Sequence, residues 1–352
     1  MTLISRLTSA GAFAHRHLLP LVVVAYVLAA LFPAPGLWVR GCVLVSAGGA
    51  TLTLSTTLLA VLLFAASLGA SANDFGGVIR RPVAVLAGLA ANLFVPVAFL
   101  LLLRFVLRVW HDGREADCLL LGLAVVAAMP VAGSSAAWSS SAGGNVALSM
   151  GLVLGSTLLS PLTTPLVFAL TGVSVGGTAE PGDGASGFLL VVVVVPSVAG
   201  LLVRRVMGDE RAARLKPMLK GVTAVVLLVL CYSNAAVALP QVVANPDWDF
   251  LALTVATAAG LCVTAFAAGW GVAWAVRAND ADRRALLFGL GMSNNGTGLV
   301  LAATVLSSLP WAVCAVLTYN LVQHVVAGGV SRLVSMRSDE SGKGFTRRPP
   351  VG

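Results

Sequence analysis

Charge is what this chain has least of. Only 10% of its 352 residues are Asp, Glu, Lys or Arg, against 58% hydrophobic, and the mean hydropathy is +0.95. Soluble domains carry about a quarter charged residues, so a water-surrounded domain is excluded and the bilayer is the solvent. Acidic residues are scarcest: all 14 lie in loops, at the edges of apolar runs or in the C-terminal tail. Four histidines and five cysteines without paired spacing exclude a zinc pattern and a disulfide framework. A membrane-embedded enzyme would need a cluster of acids, histidines or cysteines inside the membrane, and none is present. No cofactor motif is found. The net charge of +8 comes from basic residues set between apolar runs. It therefore reports membrane orientation and excludes nucleic acid as the partner; membrane lipid takes that place.

What is present is a succession of apolar runs. Ten spans fit, at 18–34, 48–70, 82–107, 117–142, 146–172, 187–207, 218–240, 249–276, 283–306 and 310–333, each long enough to cross a hydrocarbon core of roughly 30 Å. The first follows Arg16 and lacks a cleavage site of small residues, so it reads as a membrane helix and not a removed signal. The longest polar connections are 71–81, 108–116, 173–186 and 208–217, and a basic tail at 334–352 reads as disordered and cytoplasmic. With the N-terminus inside, 18 of the 22 basic residues fall on the cytoplasmic side. Trp38, Trp110, Trp248 and Trp311 fall at outer span ends, where indoles prefer the interface. Simple alanine-rich loops fit a bacterial inner membrane.

Ten spans divide into two fives. Five is odd, so a repeated second half enters the membrane inverted, as in many secondary transporters. The expected fold is thus an all-α membrane protein of two inverted five-helix repeats, 1–172 and 187–333. The fourth member of each half is interrupted, at MPVAGSSAAWSSSAGGN (129–145) and at GMSNNGTG (291–298). A broken membrane helix frees backbone groups that hydrocarbon cannot satisfy, so matching breaks mark a site near the midplane. Pro130 removes an N–H, Gly133 lets the chain turn, and Ser134 and Ser135 follow as short polar ligands. Gly291 and Gly296 permit unusual dihedrals; Met292 and Ser293 lend carbonyls or a hydroxyl, and Asn294 and Asn295 offer donors and acceptors. The half-helix N-termini favour an anion. His324 taken alone reads as a packing residue, a ligand or a proton carrier. Gly133, Ser134, Asn294, Asn295 and His324 are the candidate substrate-binding residues.

Four stretches together resemble the bile acid:sodium symporter family over nearly the whole chain. They are NDFGGVIRRPVAVLAGLAANLFVPVAF (73–99), MPVAGSSA (129–136), NVALSMGLVLGSTLLSPLTTPL (145–166) and GMSNNGTGLVLA (291–302), with His324 and Gly328 as remnants of a final motif. The resemblance implies a panel of helices 1, 2, 6 and 7, and a core of helices 3–5 and 8–10 in which broken helices 4 and 9 cross. It implies transport of an organic anion or amphipathic solute, coupled to sodium by alternating access. Ser135, Ser149, Asn92, Met292 and Ser293 are the sodium ligands it implies, and Asn294 the substrate-contacting asparagine. The pattern also departs from the family: its sodium-binding glutamate falls on Gly289, its fourth-helix asparagine on Ala136, its glutamine on Ser293 and a fifth-helix threonine on Val153. Those losses imply that sodium coupling is weakened or lost. A facilitator, a proton-linked carrier using His324, and a non-transporting sensor remain as alternatives.

Overall fold

A computed structural model describes residues 18–47, 50–69, 81–172, 187 and 189–345. The connections expected at 71–80 and 173–186, and the end of the tail from 346, lie outside the described residues. Among those described, the chain is almost wholly helical. Helix α1 (Leu18–Leu31) meets α2 (Pro33–Gly41) at a 94° bend. The expected first span ran to 34. It ends earlier because Pro33, at the start of α2, has no N–H to continue α1. A two-stranded antiparallel hairpin follows, β1 (Val43–Ala47) with β2 (Ala50–Thr53). Helix α3 therefore begins at Leu54, not at 48 (Leu54–Gly69). The alternating Val43, Val45, Thr51 and Thr53 favour strands.

Helix α4 (Pro82–Val106) and α5 (Gly113–Ala127) are followed by the short α6 (Ser134–Ser141) and the long α7 (Val146–Thr171). A π-turn at Leu189–Val194 leads into α8 (Val195–Met207). Helix α9 (Asp209–Ala244) incorporates the expected polar connection 208–217, because only Gly208, at φ 83°, interrupts a stretch rich in helix-forming Ala, Arg, Leu and Lys. Then come α10 (Trp248–Ala275), α11 (Asp280–Gly291), α12 (Asn295–Val305) and α13 (Pro310–Phe345). Helix α13 passes the expected end at 333 and runs through much of the segment read as disordered, which holds no proline before Pro349. Among the described residues, six helices are long and apolar enough to cross a membrane, or seven if the bent α1–α2 pair counts as one span. This is an all-α, multi-pass membrane protein.

Many helices start on a local cap. Asp112, Asn145, Asp247, Asn279 and Asn294 each accept a first-turn backbone N–H through the side chain, satisfying one of the donors that a helix start leaves free. Inside α7, Pro161 deprives the Thr157 carbonyl of its usual donor, and Ser160 Oγ takes it up at 2.8 Å.

The helices pack in two groups. Helices α1, α2, α3 and α8 lean chiefly on α9 and on each other; α4–α7 and α10–α13 form the second group. The two meet where α9 touches α12 and α13. Small residues permit the closest approaches within the second group. A Cβ at Gly122 of α5 would stand 2.3 Å from the Ala312 carbonyl oxygen of α13, and one at Gly269 of α10 would stand 2.6 Å from the Leu286 carbonyl of α11. At the ends of α4, α7 and α11, buried Asp282 accepts from Asn145 Nδ2 at 2.7 Å and faces Arg81 at 3.2 Å. That network ties the rims of the second group together.

Candidate functional site

Helix α5 stops at Ala127 ahead of Pro130, and α11 stops at Gly291 with Met292 extended at φ −127°, ψ 112°. The two freed segments lie antiparallel, with Val131 opposite Ser293. Ala132 N–H donates to the Met292 carbonyl, and Asn294 N–H to the Pro130 carbonyl, both at 2.8 Å. Each break thus satisfies the other.

Side chains from the flanking helices complete the hydrogen bonding. Val131 N–H donates to Ser156 Oγ of α7 at 3.0 Å, and Thr164 Oγ1 of α7 donates to the Ala128 carbonyl at 2.9 Å. Gln323 of α13 clamps Ser293 from both sides: its Oε1 accepts from Ser293 N–H at 2.9 Å, and its Nε2 donates to the Ser293 carbonyl at 3.2 Å. Unmatched backbone groups inside a membrane protein cost several kcal/mol each. Ser156, Thr164 and Gln323 therefore maintain the breaks. Sequence reading missed all three, although Gln323, a polar residue next to His324 within an apolar run, was a visible signal.

The candidate substrate residues are spread around this crossing. Gly133 is exposed, with nothing within 4 Å of where a Cβ would stand, and Ser134 beside it is half-buried. Gly133 has an ordinary helical φ of −58°, so it leaves space at the start of α6 and does not turn the chain there. Gly291 likewise needs no unusual φ: it is helical, and a Cβ there would stand 2.4 Å from the Phe266 ring. Gly296 has no positive φ either. Asn294 is half-buried and caps α12 through Thr297 N–H at 3.3 Å. Asn295 is buried; its Nδ2 donates to Asn320 Oδ1 at 3.4 Å, and Asn320 Nδ2 donates to Tyr26 Oη of α1 at 2.9 Å. His324 sits one turn along α13, with Nδ1 2.7 Å from the Asn320 carbonyl. Since a carbonyl only accepts, Nδ1 carries the proton and Nε2 of the neutral ring has the lone pair. Helix α6 starts without a side-chain cap, whereas α12 has Asn294.

The candidate cation ligands are less gathered. Met292 is fully buried, with its carbonyl engaged by Ala132. The Ser293 carbonyl accepts from Gln323 and from Asn295 N–H. Ser149 Oγ donates to the Asn145 carbonyl at 3.2 Å, while Ser135 Oγ is buried without a hydrogen-bond partner. Asn92 lines a small, open crevice beside the α5 break, with Ala128, Met129, Ser156 and Thr163. Next to Gly289 lies Leu152, fully buried: a Cβ at Gly289 would stand 2.7 Å from its Cδ1, and one at Gly88 2.6 Å from its Cδ2. An isobutyl group thus fills the space around Gly289.

Comparison with known proteins finds similarity to a family of membrane transporters. The model of the Sodium Bile acid symporter family matches residues 56–245, from α3 to the end of α9. The uncharacterized protein YbaS of Bacillus subtilis (strain 168) is 28% identical over 254 residues, 70% of this chain and 78% of that protein. The uncharacterized sodium-dependent transporter YocS of the same organism is 25% identical over 325 residues, 90% of this chain and 91% of that protein.

Proposed function

This chain belongs to the sodium bile acid symporter family, and from that we propose that it carries a small organic anion or amphipathic solute by alternating access, with sodium coupling weakened or lost. It is a secondary transporter, not an enzyme. The observation that carries the finer reading is the reciprocal pairing of the two breaks, beside an α6 start that has no side-chain cap and opens at Gly133. Ser135 N–H is taken by the Ala132 carbonyl at 3.0 Å, but the first turn of α6 has no side-chain cap, and the helix dipole there favours an anion.

In this reading the helices make ten spans in two inverted repeats, set in an inner membrane with both termini cytoplasmic. The group around α9 serves as the panel and the other as the moving core. Reduced sodium coupling is supported by Gly289 and by Leu152 packed over it. No carboxylate is left there to offset sodium's dehydration, and an aliphatic side chain supplies no oxygen. Proton-linked carriage is the second reading, favoured by the free Nε2 lone pair on His324.

The test is uptake of labelled organic anions into proteoliposomes, with and without a pH gradient. Asn294→Ala is expected to lower uptake about tenfold, the effect of losing one buried hydrogen bond to substrate. Unchanged uptake by a folded variant would remove the α12 break from the site. A response to the pH gradient would select the proton-linked reading.

A further inference from the structure

Arg40 falls in an outer loop on the sequence map, yet it ends up between helices. Helix α2 turns away from α1 and lies on α9, where Tyr232 Oη donates to the Phe32 carbonyl at 2.5 Å and Gly36 fits against Ala236. The last turn of α2 thereby points Arg40 into the seam between α9 and α12. Its Nη1 donates to Asn234 Oδ1 of α9 at 2.8 Å, and its Nη2 to the Ala303 carbonyl of α12 at 2.5 Å. Asn234 and Ala303 are both fully buried. Neither carries charge, and among the described residues no carboxylate lies within ion-pair distance of Arg40. A guanidinium has five N–H donors and never loses its proton. This one is held at the meeting of the two helix groups without a counter-charge.

We propose that Arg40 is a specificity-determining residue that receives the anionic group of the substrate, exchanging the Ala303 carbonyl for a carboxylate or sulfonate. The exchange is favourable because a carboxylate or sulfonate brings the opposite charge and a geometry that matches the guanidinium fork, neither of which a carbonyl supplies. An ionisable group within a membrane protein, held here by neutral partners alone, marks a substrate path. Releasing Ala303 also removes the hydrogen bond that ties α2 to α12, which couples anion arrival to relative movement of the two groups. The proposal rests on the organic-anion reading above and adds the side chain that reads the charge.

The test follows thermal stability of the purified full chain in detergent, titrating pyruvate, pantothenate or taurocholate against the uncharged amide of each at constant ionic strength. A ligand of the folded state raises the melting midpoint saturably. The expected result is a response of the wild type to at least one anion and not to its amide. R40Q should raise the half-saturating concentration about tenfold or more, and R40K less, because it keeps the charge and loses the fork. An unchanged response in R40Q would overturn the proposal, leaving Arg40 as a cap on the last turn of α12 and the anion reading intact. No response of the wild type to any of the three anions would overturn both. If R40Q does not fold, Asn234→Ala decides: by freeing the guanidinium it should tighten the anion response, and an unchanged response counts against the proposal.

Discussion

Replacing Gln323 with leucine should destabilise the protein by about 1–3 kcal/mol and abolish transport. The side chain is the acceptor for Ser293 N–H and one of the two donors to its carbonyl, the other being Asn295 N–H. Leucine conserves volume but leaves a buried N–H without an acceptor and a carbonyl with one donor fewer, and each buried orphan costs about 1–3 kcal/mol. Gln323→Glu separates the two roles. An ionised glutamate would set an uncompensated buried charge against the Ser293 carbonyl, so Gln323→Glu should be no more stable than leucine, except at low pH, where the protonated carboxyl donates to that carbonyl in place of Nε2. The readout is the apparent melting midpoint in detergent, with uptake measured on the same preparations. A Gln323→Leu protein as stable as wild type would mean that the α11–α12 break holds without α13.

The second large effect concerns Gly289. Glutamate placed there alone should be poorly tolerated. Its Cβ collides with Leu152 Cδ1, and its carboxylate is buried with no cation beside it, a cost of about 3–5 kcal/mol for an uncompensated charge. Combining Gly289→Glu with Leu152→Ala vacates that space and should create a sodium-specific rise in melting midpoint that both the wild type and the Gly289→Glu variant lack. If the double variant is folded and still indifferent to sodium, Leu152 is not what closes the cation position.

Much of this molecule was legible in the sequence because the bilayer imposes a strict rule. Only apolar runs of sufficient length cross it, and polar breaks within such runs need a reason. The positions of the helices and both interruptions follow from that rule. Where local chemistry competes with hydropathy, the reading failed. The α1–α2 bend at Pro33, the hairpin ahead of Leu54 and the helical start of α9 at Asp209 all lie where an apolar window blurs the boundary. The crossing of the two breaks was half legible. Asn294 and Ser135 can be singled out as polar groups in apolar runs, but the partners of the breaks cannot. Ser156, Thr164 and Gln323 are ordinary residues whose role comes from tertiary pairing across 25 to 36 positions of sequence. The glycines teach the same lesson: Gly291 makes room for the Phe266 ring and needs no unusual dihedral.

The central claim is that this member keeps the crossed breaks of a secondary transporter while its sodium chemistry is reduced. The most direct measurement is the melting midpoint of the wild-type protein in detergent, with sodium titrated against potassium at constant ionic strength. Binding to the folded state alone raises stability by mass action. Superimposable sodium and potassium curves are the result predicted for lost coupling, and a small sodium-specific rise that does not reach saturation the result for weakened coupling. A saturable rise confined to sodium would contradict the account and establish a working cation site built from neutral oxygens alone.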